Sequence, residues 1–304
     1  MLKKIIIRII KVMKNPMLLL IFLNNKKILV LPDKVYLKIR YRAILHERLN
    51  FENPQTFNSK LQWLKIYDRN PKYIKLVDKC EVKDYIKERI GEKYLIQTLN
   101  VWDNVDDIDF NKLPSQFVLK CTHDSGSTII CKDKNKMNYK KTIKRLRKLQ
   151  KRDYYNLGRE WPYKNVKPRI IAEKYMEDKK TQDINDYKFY CFNGKVDYVM
   201  VCTERKTGNP KFYYYDRKWK LQKDMSKDAQ KNSKIYVEKP EKIEEMFNIA
   251  SNLSEGIPFV RIDLYYINNE IYFGEFTFYP SSGFDNTRTD ECDQILTKYL
   301  KLGE

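Results

Sequence analysis

The sequence has little histidine, no closely spaced cysteine pair and few glycines. Its histidines are His46 and His123, and neither has a cysteine nearby at metal-ligand spacing, which argues against a zinc site of Cys and His. The six cysteines lie mostly inside apolar runs and predict buried thiols in a reducing compartment. Nine glycines and eleven prolines in 304 residues argue against fibrous or low-complexity material.

Long apolar runs are also missing, since none reaches the roughly twenty residues that a membrane-spanning helix needs. No small-residue cleavage site follows the apolar run after Pro16, so a cleaved signal is not expected. Residues 3–14 predict a basic amphipathic helix, the pattern of a segment that docks on anionic lipid headgroups. An ordinary helix packed on the globule gives the same pattern. We expect a cytoplasmic protein, and peripheral contact with the inner face of the membrane stays open.

Positive charge is abundant but confined to two segments. The formal charge is +20, with net charges of +10 in residues 1–45 and +12 in residues 132–169. The remainder is close to neutral and no nucleic-acid-binding motif is present, so we do not expect a nucleic-acid partner. A basic helix predicted over residues 139–152 either attracts an anionic polymer or is a solvated charged face.

The hydrophobic pattern predicts an α+β protein with antiparallel sheets. Helices are expected from Thr56 onward and over residues 78–90, 243–253 and 290–302. Strands are expected over residues 117–120, 128–131, 170–176, 187–192, 196–202, 211–215, 219–221, 259–266 and 271–278. Asn193-Gly194 is the strongest hairpin signal. The predicted regions are an amphipathic arm at 1–30, a mainly helical part at 31–115 and a catalytic core at 116–304.

A phosphate-binding loop is the first candidate site. Lys120 ends a predicted strand directly before a loop of small polar residues that contains Ser125, Gly126 and Ser127. Backbone N–H groups of such a loop can close over a triphosphate, and a lysine on the adjoining strand neutralises phosphate charge. A lysine beside a glycine turn is also common on surfaces.

Two acidic residues on the last predicted hairpin form the second candidate. Asp263 and Glu275 share a face if the connection has an odd number of residues, which Asn268-Asn269-Glu270 supplies when Ile267 lies opposite Ile271. Facing carboxylates repel unless a cation such as Mg²⁺ lies between them. The alternative is an ion-paired cluster neutralised by Arg261 and a lysine.

Several short motifs, in this order, resemble the TupA-like ATP-grasp family. They are residues 53–64 (NPQTFNSKLQWL), 76–79 (LVDK), 274–280 (GEFTFYP) and 282–284 (SGF). The likeness extends from about residue 31 to the carboxyl end. It implies an ATP-grasp fold, in which two lobes with antiparallel sheets enclose a nucleotide cleft, and it implies ATP and Mg²⁺ as cofactors.

The resemblance also implies roles for individual residues. Lys188 would face the phosphates and Arg261 would stabilise the transferring phosphoryl group. The residues implied in nucleotide binding are Lys79, Lys120, Ser125, Gly126, Ser127, Glu173 and Met176, with Glu173 and the Met176 backbone at the adenine. The residues implied in metal binding are Asp263, Glu275 and Thr277. Many ATP-grasp ligases have asparagine where this sequence has Thr277, which leaves the second metal position open.

The reaction implied by the resemblance is amide formation through an acyl phosphate. The expected acceptor is a uronic-acid-containing glycan or its lipid-linked precursor, and the expected partner substrate is an amine, amino acid or peptide. Three alternatives remain open at this stage. They are an ATP-dependent glycan kinase, a polysaccharide-biosynthesis protein of the glycosyltransferase type, and a polyanion-binding protein without turnover.

Overall fold

Two antiparallel sheets form the framework of the protein. The structure is a computed structural model, and it describes residues 15–180, 184–232 and 235–303. The first sheet has strand order β1-β4-β2-β3. Its strands are β1 (Thr98–Trp102), β2 (Phe117–Cys121), β3 (Ile129–Cys131) and β4 (Ile170–Lys174). Strand β1 therefore belongs to this sheet although it lies within residues 31–115, which were predicted to be mainly helical.

The second sheet has strand order β7-β6-β5-β8-β9 and is the larger of the two. Its strands are β5 (Asp186–Phe192), β6 (Lys195–Thr203), β7 (Lys211–Asp216), β8 (Val260–Ile267) and β9 (Glu270–Thr277). The predicted hairpin turn at Asn193 and Gly194 is confirmed, and both residues have a positive φ. The strand predicted over 219–221 is reduced to a single bridge between Tyr215 and Leu221.

Helices pack around both sheets and make up most of the remaining regular structure. They are α1 (Pro16–Asn25), α2 (Asp33–Leu45), α3 (Phe57–Tyr67), α4 (Lys72–Val77), α5 (Val82–Arg89), α6 (Tyr139–Gln150), α7 (Tyr155–Gly158), α8 (Lys227–Lys231), α9 (Ile243–Ser254) and α10 (Asp290–Tyr299). Helix α3 begins where the sequence predicted, because the side chains of Thr56 and Ser59 form a reciprocal capping box.

Each sheet has its own hydrophobic core. In the larger core, Phe247 of α9 meets Phe189 of β5 edge to face with ring centroids 5.0 Å apart, and both side chains are fully buried. Burying one such side chain stabilises the fold by about 2 kcal/mol. In the smaller core, Leu146 of α6 packs with Phe117 and Leu119 of β2. The two sheets therefore form separate lobes, each with its own core. Polar residues lie on the sheet faces that point towards the other lobe.

The turn between β8 and β9 is one residue shorter than the sequence predicted. The three-residue connection was expected to place Ile267 opposite Ile271, but Ile267 pairs with Glu270. Asn268 and Asn269 alone form the turn, and their φ angles are 51° and 63°. This is the geometry of two-residue type I′ turns, in which asparagine is favoured.

A β-bulge corrects the change of register that the shorter turn causes. The pairing passes from Leu264 opposite Phe273 to Asp263 opposite Glu275, so Gly274 is the extra residue. A Cβ atom at Gly274 would lie 2.9 Å from the Asp263 carbonyl oxygen, which leaves no room for a side chain. The two carboxylates thus share a face, as predicted, but because of the bulge and not because of the length of the connection.

The amino-terminal arm is only partly described. The basic amphipathic helix predicted over residues 3–14 lies outside the described residues. Helix α1 follows it and exposes Leu19, Leu20 and Phe22. Within the described ranges, no helix is long and apolar enough to cross a membrane.

Candidate functional site: a cleft between the two sheets

The two sheets enclose a cavity of about 660 Å³. Strands β2, β3 and β4 line one wall, and β5, β8 and β9 line the other. Nine of the candidate residues predicted from the sequence line it, namely Lys79, Lys120, Ser125, Gly126, Glu173, Met176, Lys188, Asp263 and Glu275. The fold therefore brings together residues that are up to 196 positions apart in the chain, from Lys79 to Glu275.

On the wall formed by the smaller sheet, Glu173 is held between two lysines. Its carboxylate lies 2.6 Å from the Nζ atom of Lys120 and 2.6 Å from that of Lys83. Burial alone would raise the pKa of Glu173, but the two lysines hold it below its ordinary value. The carboxylate predicted to meet adenine thus orients Lys120 in this structure. Lys83 was missed in the sequence, although it lies four residues after Lys79.

Lys79 contacts the predicted phosphate loop directly. Its Nζ atom donates to the backbone carbonyl of Asp124, and burial lowers its pKa. Ser125 and Gly126 border the cavity, and Gly126 has a φ of 83°, which suits a glycine turn. Ser127 lies outside the lining, and its hydroxyl accepts a hydrogen bond of 2.8 Å from the backbone N–H of Cys121. This hydrogen bond closes the loop onto the end of β2, beside Lys79 and Lys120.

The wall formed by the larger sheet carries a row of charged side chains across three strands. Lys188 on β5 is paired with Asp263 on β8, and Asp263 is paired with Glu275 on β9. The Nζ atom of Lys188 lies 2.6 Å from Asp263 Oδ2. Asp263 is almost fully buried, whereas the Glu275 side chain is 40% exposed and faces the cleft.

Arg261 and Thr277 form the next row and support the first. Arg261 donates to both Asp263 oxygens, with Nε to Oδ1 at 2.6 Å and Nη2 to Oδ2 at 2.7 Å. It also donates to the Thr277 hydroxyl at 3.1 Å, and that hydroxyl donates to Glu275 Oε1 at 3.1 Å. Burial would raise the pKa of Asp263, but Arg261 and Lys188 keep it below its ordinary value. Neither Arg261 nor Thr277 lines the cavity.

The donor set fits a magnesium ion bound together with a nucleotide. Mg²⁺ usually takes one or two carboxylates, with phosphates and waters supplying its other ligands. Asp263 and Glu275 provide two carboxylates side by side, and an ionised carboxylate has more acceptor positions than Arg261 and Lys188 occupy. Within the described residues, no group of three His, Cys, Asp or Glu side chains could hold a metal on its own.

The motif at residues 53–64 lies outside the cleft and, together with the adjoining Lys65, contacts the segment that follows β9. Asn58, Gln62 and Lys65 share one face of α3, because they are spaced four and three residues apart. They donate to the carbonyls of Asp285 at 2.7 Å, Gly283 at 2.6 Å and Ser282 at 2.8 Å, respectively. Burial lowers the pKa of Lys65 to about 7. These contacts hold Ser281 and Ser282 in left-handed backbone conformations with φ angles of 51° and 53°.

Two antiparallel sheets that face each other over a cleft, with lysines on one wall and a carboxylate pair on the other, define an ATP-grasp fold. A family model described as TupA-like ATPgrasp matches residues 59–301. The chain belongs to the TupA-like ATP-grasp family.

Comparison with solved structures gives distant similarities, and comparison with curated proteins gives no match. A D-alanine–D-alanine ligase from Bacillus anthracis complexed with ATP is 14% identical, with a TM-score of 0.45, over 74% of this chain and 65% of that one. The corresponding ligase from Helicobacter pylori is 18% identical, with a TM-score of 0.42, over 80% and 69%. The ATP-grasp ligase PsnB, complexed with minimal precursor, Mg and ADP, is 9% identical, with a TM-score of 0.41, over 88% and 69%. This chain thus spans slightly under two thirds of the B. anthracis ligase.

We predict that Glu173→Gln lowers the free energy of unfolding by about 3 kcal/mol at neutral pH, because Lys83 and Lys120 lose their common partner. The pKa of Glu173 is lower in the folded state than in the unfolded state, so its stabilising effect is complete above about pH 5 and is lost as the pH falls through the folded pKa. Urea unfolding at pH 7 measures the loss of stability in Glu173→Gln. The same measurement at pH 3 shows whether this loss becomes smaller when Glu173 is protonated.

Glu270→Gln is the matched control, because Glu270 forms an exposed ion pair with Lys242. Such a pair contributes about 0–1 kcal/mol. A difference between Glu173→Gln and the native chain that is the same at both pH values would contradict the ion-pair interpretation.

Proposed function

We propose that the protein is an ATP-dependent ligase that joins a carboxylate of a cell-surface polysaccharide, or of its precursor, to an amine. The carboxylate attacks the γ-phosphorus of ATP and ADP leaves, which gives an acyl phosphate. The amine then attacks the acyl carbon, phosphate leaves and an amide forms. Mg²⁺ bound to ATP would offset negative charge on the phosphate oxygens during transfer.

The observation that carries the proposal is the placement of opposite charges on facing walls of one cavity. Lys79 and Lys120 are positioned to neutralise phosphate oxygens from one side. Asp263 and Glu275 would hold Mg²⁺ from the other side, and Lys188, which lies next to Asp263 at the end of the row, would contact the γ-phosphate. Arg261 keeps Asp263 ionised and in place.

The acceptor class is proposed from charge. Six exposed basic residues on α6 and directly after it have no ion pair within the described part of the chain, and these are Lys140, Lys141, Lys144, Arg145 and Lys148 on the helix and Lys151 after it. This face suits a polyanion such as a uronic-acid-containing glycan. Arg147, by contrast, is paired with Asp106.

The nucleotide part of the proposal is tested by thermal unfolding with ATP, ADP and UDP-sugars, each with and without Mg²⁺. We expect ATP with Mg²⁺ to raise the unfolding temperature by several degrees, because a ligand at one hundred times its Kd stabilises the folded state by about 2.7 kcal/mol. Asp263→Asn and Glu275→Gln should remove the part of the shift that depends on Mg²⁺. Stabilisation by UDP-sugars without any shift by ATP would favour a glycosyltransferase instead.

A ligase, a kinase and a binding protein without turnover are distinguished by whether ADP is released and whether its release requires an amine. With oligogalacturonate as the carboxylate and an amino-acid mixture as the amine, a ligase releases ADP in quantity only when both are present. A kinase would release ADP with the glycan alone and leave a stable phosphomonoester. A polyanion-binding protein without turnover would bind the glycan tightly and release no ADP.

If α6 binds the glycan by charge, reversing the charge of this helix should weaken binding of polygalacturonate at least tenfold at low salt. The effect should be smaller at high salt, because ions screen the interaction. The variant changes Lys140, Lys141, Lys144 and Arg145 to Glu. A control with the same change in net charge alters Lys218, Lys220, Lys223 and Lys227 to Glu. Equal affinities of the variant and the control at low salt would count against α6 as the glycan-binding face.

We also propose that the protein contacts anionic membrane surfaces through its amino-terminal part. Leu19, Leu20 and Phe22 of α1 are exposed, and the fourteen residues before Asn15 contain five basic residues and no acidic one. Apolar side chains next to lysines are typical of interfacial segments.

Sedimentation with phosphatidylcholine vesicles, with and without phosphatidylglycerol, tests this contact. We expect binding to the anionic vesicles, and a loss of several-fold when Leu19, Leu20 and Phe22 are all changed to Ser. Tyr236→Ser is the control, because Tyr236 is an exposed aromatic residue elsewhere on the chain. Equal binding to both kinds of vesicle, or none to either, would remove the proposal.

A further inference from the structure

A separate cavity of about 620 Å³ lies between the start of α3 and the segment that contains α10. Thr56 and Asn58 line it from α3, and Asp285, Arg288 and Asp293 line it from the other segment. Cavities that hold small molecules have volumes of roughly 300–1,000 Å³. None of the described residues that line this cavity also lines the cleft, so the nucleotide site does not account for it.

Arg288 supplies a buried positive charge to this cavity. Its side chain is only 5% exposed, and Nη2 donates a hydrogen bond to Asn58 Oδ1. Nε and Nη1 are also buried, and they donate no hydrogen bond to any described residue. The carboxylate of Asp285 lies 3.8 Å from Nε, which is too far for a hydrogen bond. Buried polar groups are normally paired, so unpaired donors in the wall of a cavity indicate a missing acceptor.

Neighbouring side chains hold the guanidinium group of Arg288 in position. It lies 4.9 Å from the centre of the Phe57 ring. Asn58, which accepts its hydrogen bond, also accepts one from the backbone N–H of Asp285 at 3.2 Å. A side chain that is already oriented loses less entropy when a ligand binds. A planar guanidinium group pairs best with a carboxylate, which accepts two of its N–H groups at once.

The rest of the lining does not suit a simple anion. The cavity is lined by four acidic residues and two basic ones, a net charge of −2, although the whole chain carries +20. Glu47 and Asp290 are exposed and form no ion pair with any described residue. The charged residues of the lining are Glu47, Asp285, Asp290, Asp293, Arg288 and Lys298.

A ligand that fits this cavity therefore carries groups of both signs. A cation alone would leave Arg288 unpaired, and a phosphate or nucleotide would be repelled by the four acids. Among the described residues no three acids converge to hold a metal ion. An amino acid with a second amino group has a carboxylate for Arg288 and an ammonium group for Glu47 and Asp290.

The cavity lies close to the row of Arg261 and Thr277 at the cleft. Tyr190 on β5 is the strand partner of Arg261. Burial raises the pKa of Tyr190, and the positive charges of Arg261 and Arg288 both oppose this rise, so both guanidinium groups lie near its side chain. A ligand held by Arg288 would thus lie close to the residues that position Asp263.

We propose that this cavity binds the amine substrate, and that this substrate is a diamino acid such as lysine. Its carboxylate pairs with Arg288, and one ammonium group pairs with Glu47 and Asp290. The other amino group loses a proton to solvent and forms the C–N bond of the amide, while the C–O bond to phosphate breaks and the phosphate takes the second proton. The inference rests on the proposed ligase function and adds the class of the amine substrate to it.

The test compares three ligands that differ by one group. Lysine has both the carboxylate and the side-chain ammonium group, norleucine lacks that ammonium group, and cadaverine lacks the carboxylate. Dissociation constants are measured by calorimetry, with both enantiomers of each amino acid, for the protein alone and for the protein with Mg²⁺ and a non-hydrolysable ATP analogue. The native chain should bind one enantiomer of lysine at least tenfold more tightly than norleucine and cadaverine.

Arg288→Gln should bind lysine and cadaverine with affinities within a factor of two, because the carboxylate loses its partner. Arg217→Gln is the matched control, since Arg217 also stacks on a phenylalanine, at 4.7 Å, and lines neither cavity. It should keep the native preference for lysine. Glu47→Gln combined with Asp290→Asn should bring the affinity for lysine close to that for norleucine. Both of these side chains are exposed, so this variant should fold even if Arg288→Gln does not.

Equal binding of the three ligands by the native chain, or no lysine binding in either state, would overturn the inference. A preference for lysine over cadaverine that persists in folded Arg288→Gln would do the same. A thermal shift with ATP and no lysine binding would overturn this inference alone. Lysine binding without any effect of ATP would instead reject the proposed ligase and leave the amino-acid site in place.

Discussion

The buried contact between Asp263 and its two cations is the interaction on which the arrangement of the cleft depends. Desolvation makes an ionised carboxylate unfavourable inside a sheet, and Arg261 and Lys188 offset this cost from two sides. The same contacts fix Lys188 towards the cleft and leave Glu275 as the more exposed acid of the pair. A strand register that separated these side chains would leave buried charges unpaired, so the chemistry of the site and the pairing of β5, β8 and β9 support each other.

The opposite wall also has one buried charged group with two partners of opposite charge, but the signs of the charges are reversed. Glu173 is a buried acid between Lys83 and Lys120, and it holds both ammonium groups beside the cavity that the two lysines line. The two walls belong to different sheets, and the buried residues of each sheet form a separate hydrophobic cluster. An anionic ligand with a bound cation complements both walls, because the lysines on one wall face its negative groups and the acids on the other wall face its cation. Neither wall alone offers both contacts.

Helix α3 shows why a family motif need not lie in the active site. Its polar face donates to backbone carbonyls of the segment after β9 and stabilises Ser281 and Ser282 in backbone conformations that serine rarely adopts. Lys65 is fully buried in this contact. A motif of this kind determines the path of the chain beside the cleft, and the sequence alone gave no reason to assign it that role.

The sequence by itself determined the α+β class and the antiparallel hairpins, because alternation and turn residues act locally. Together with the family resemblance, it also indicated nine of the residues that line the cleft. It did not determine the register of β8 against β9, where the Asn268-Asn269 turn and the bulge at Gly274 together set which side chains meet. Nor did it indicate Lys83, which shares the carboxylate of Glu173 with Lys120. Those features depend on contacts between strands and helices distant in the chain, and only the packed structure decides which charges are buried and which partners they find.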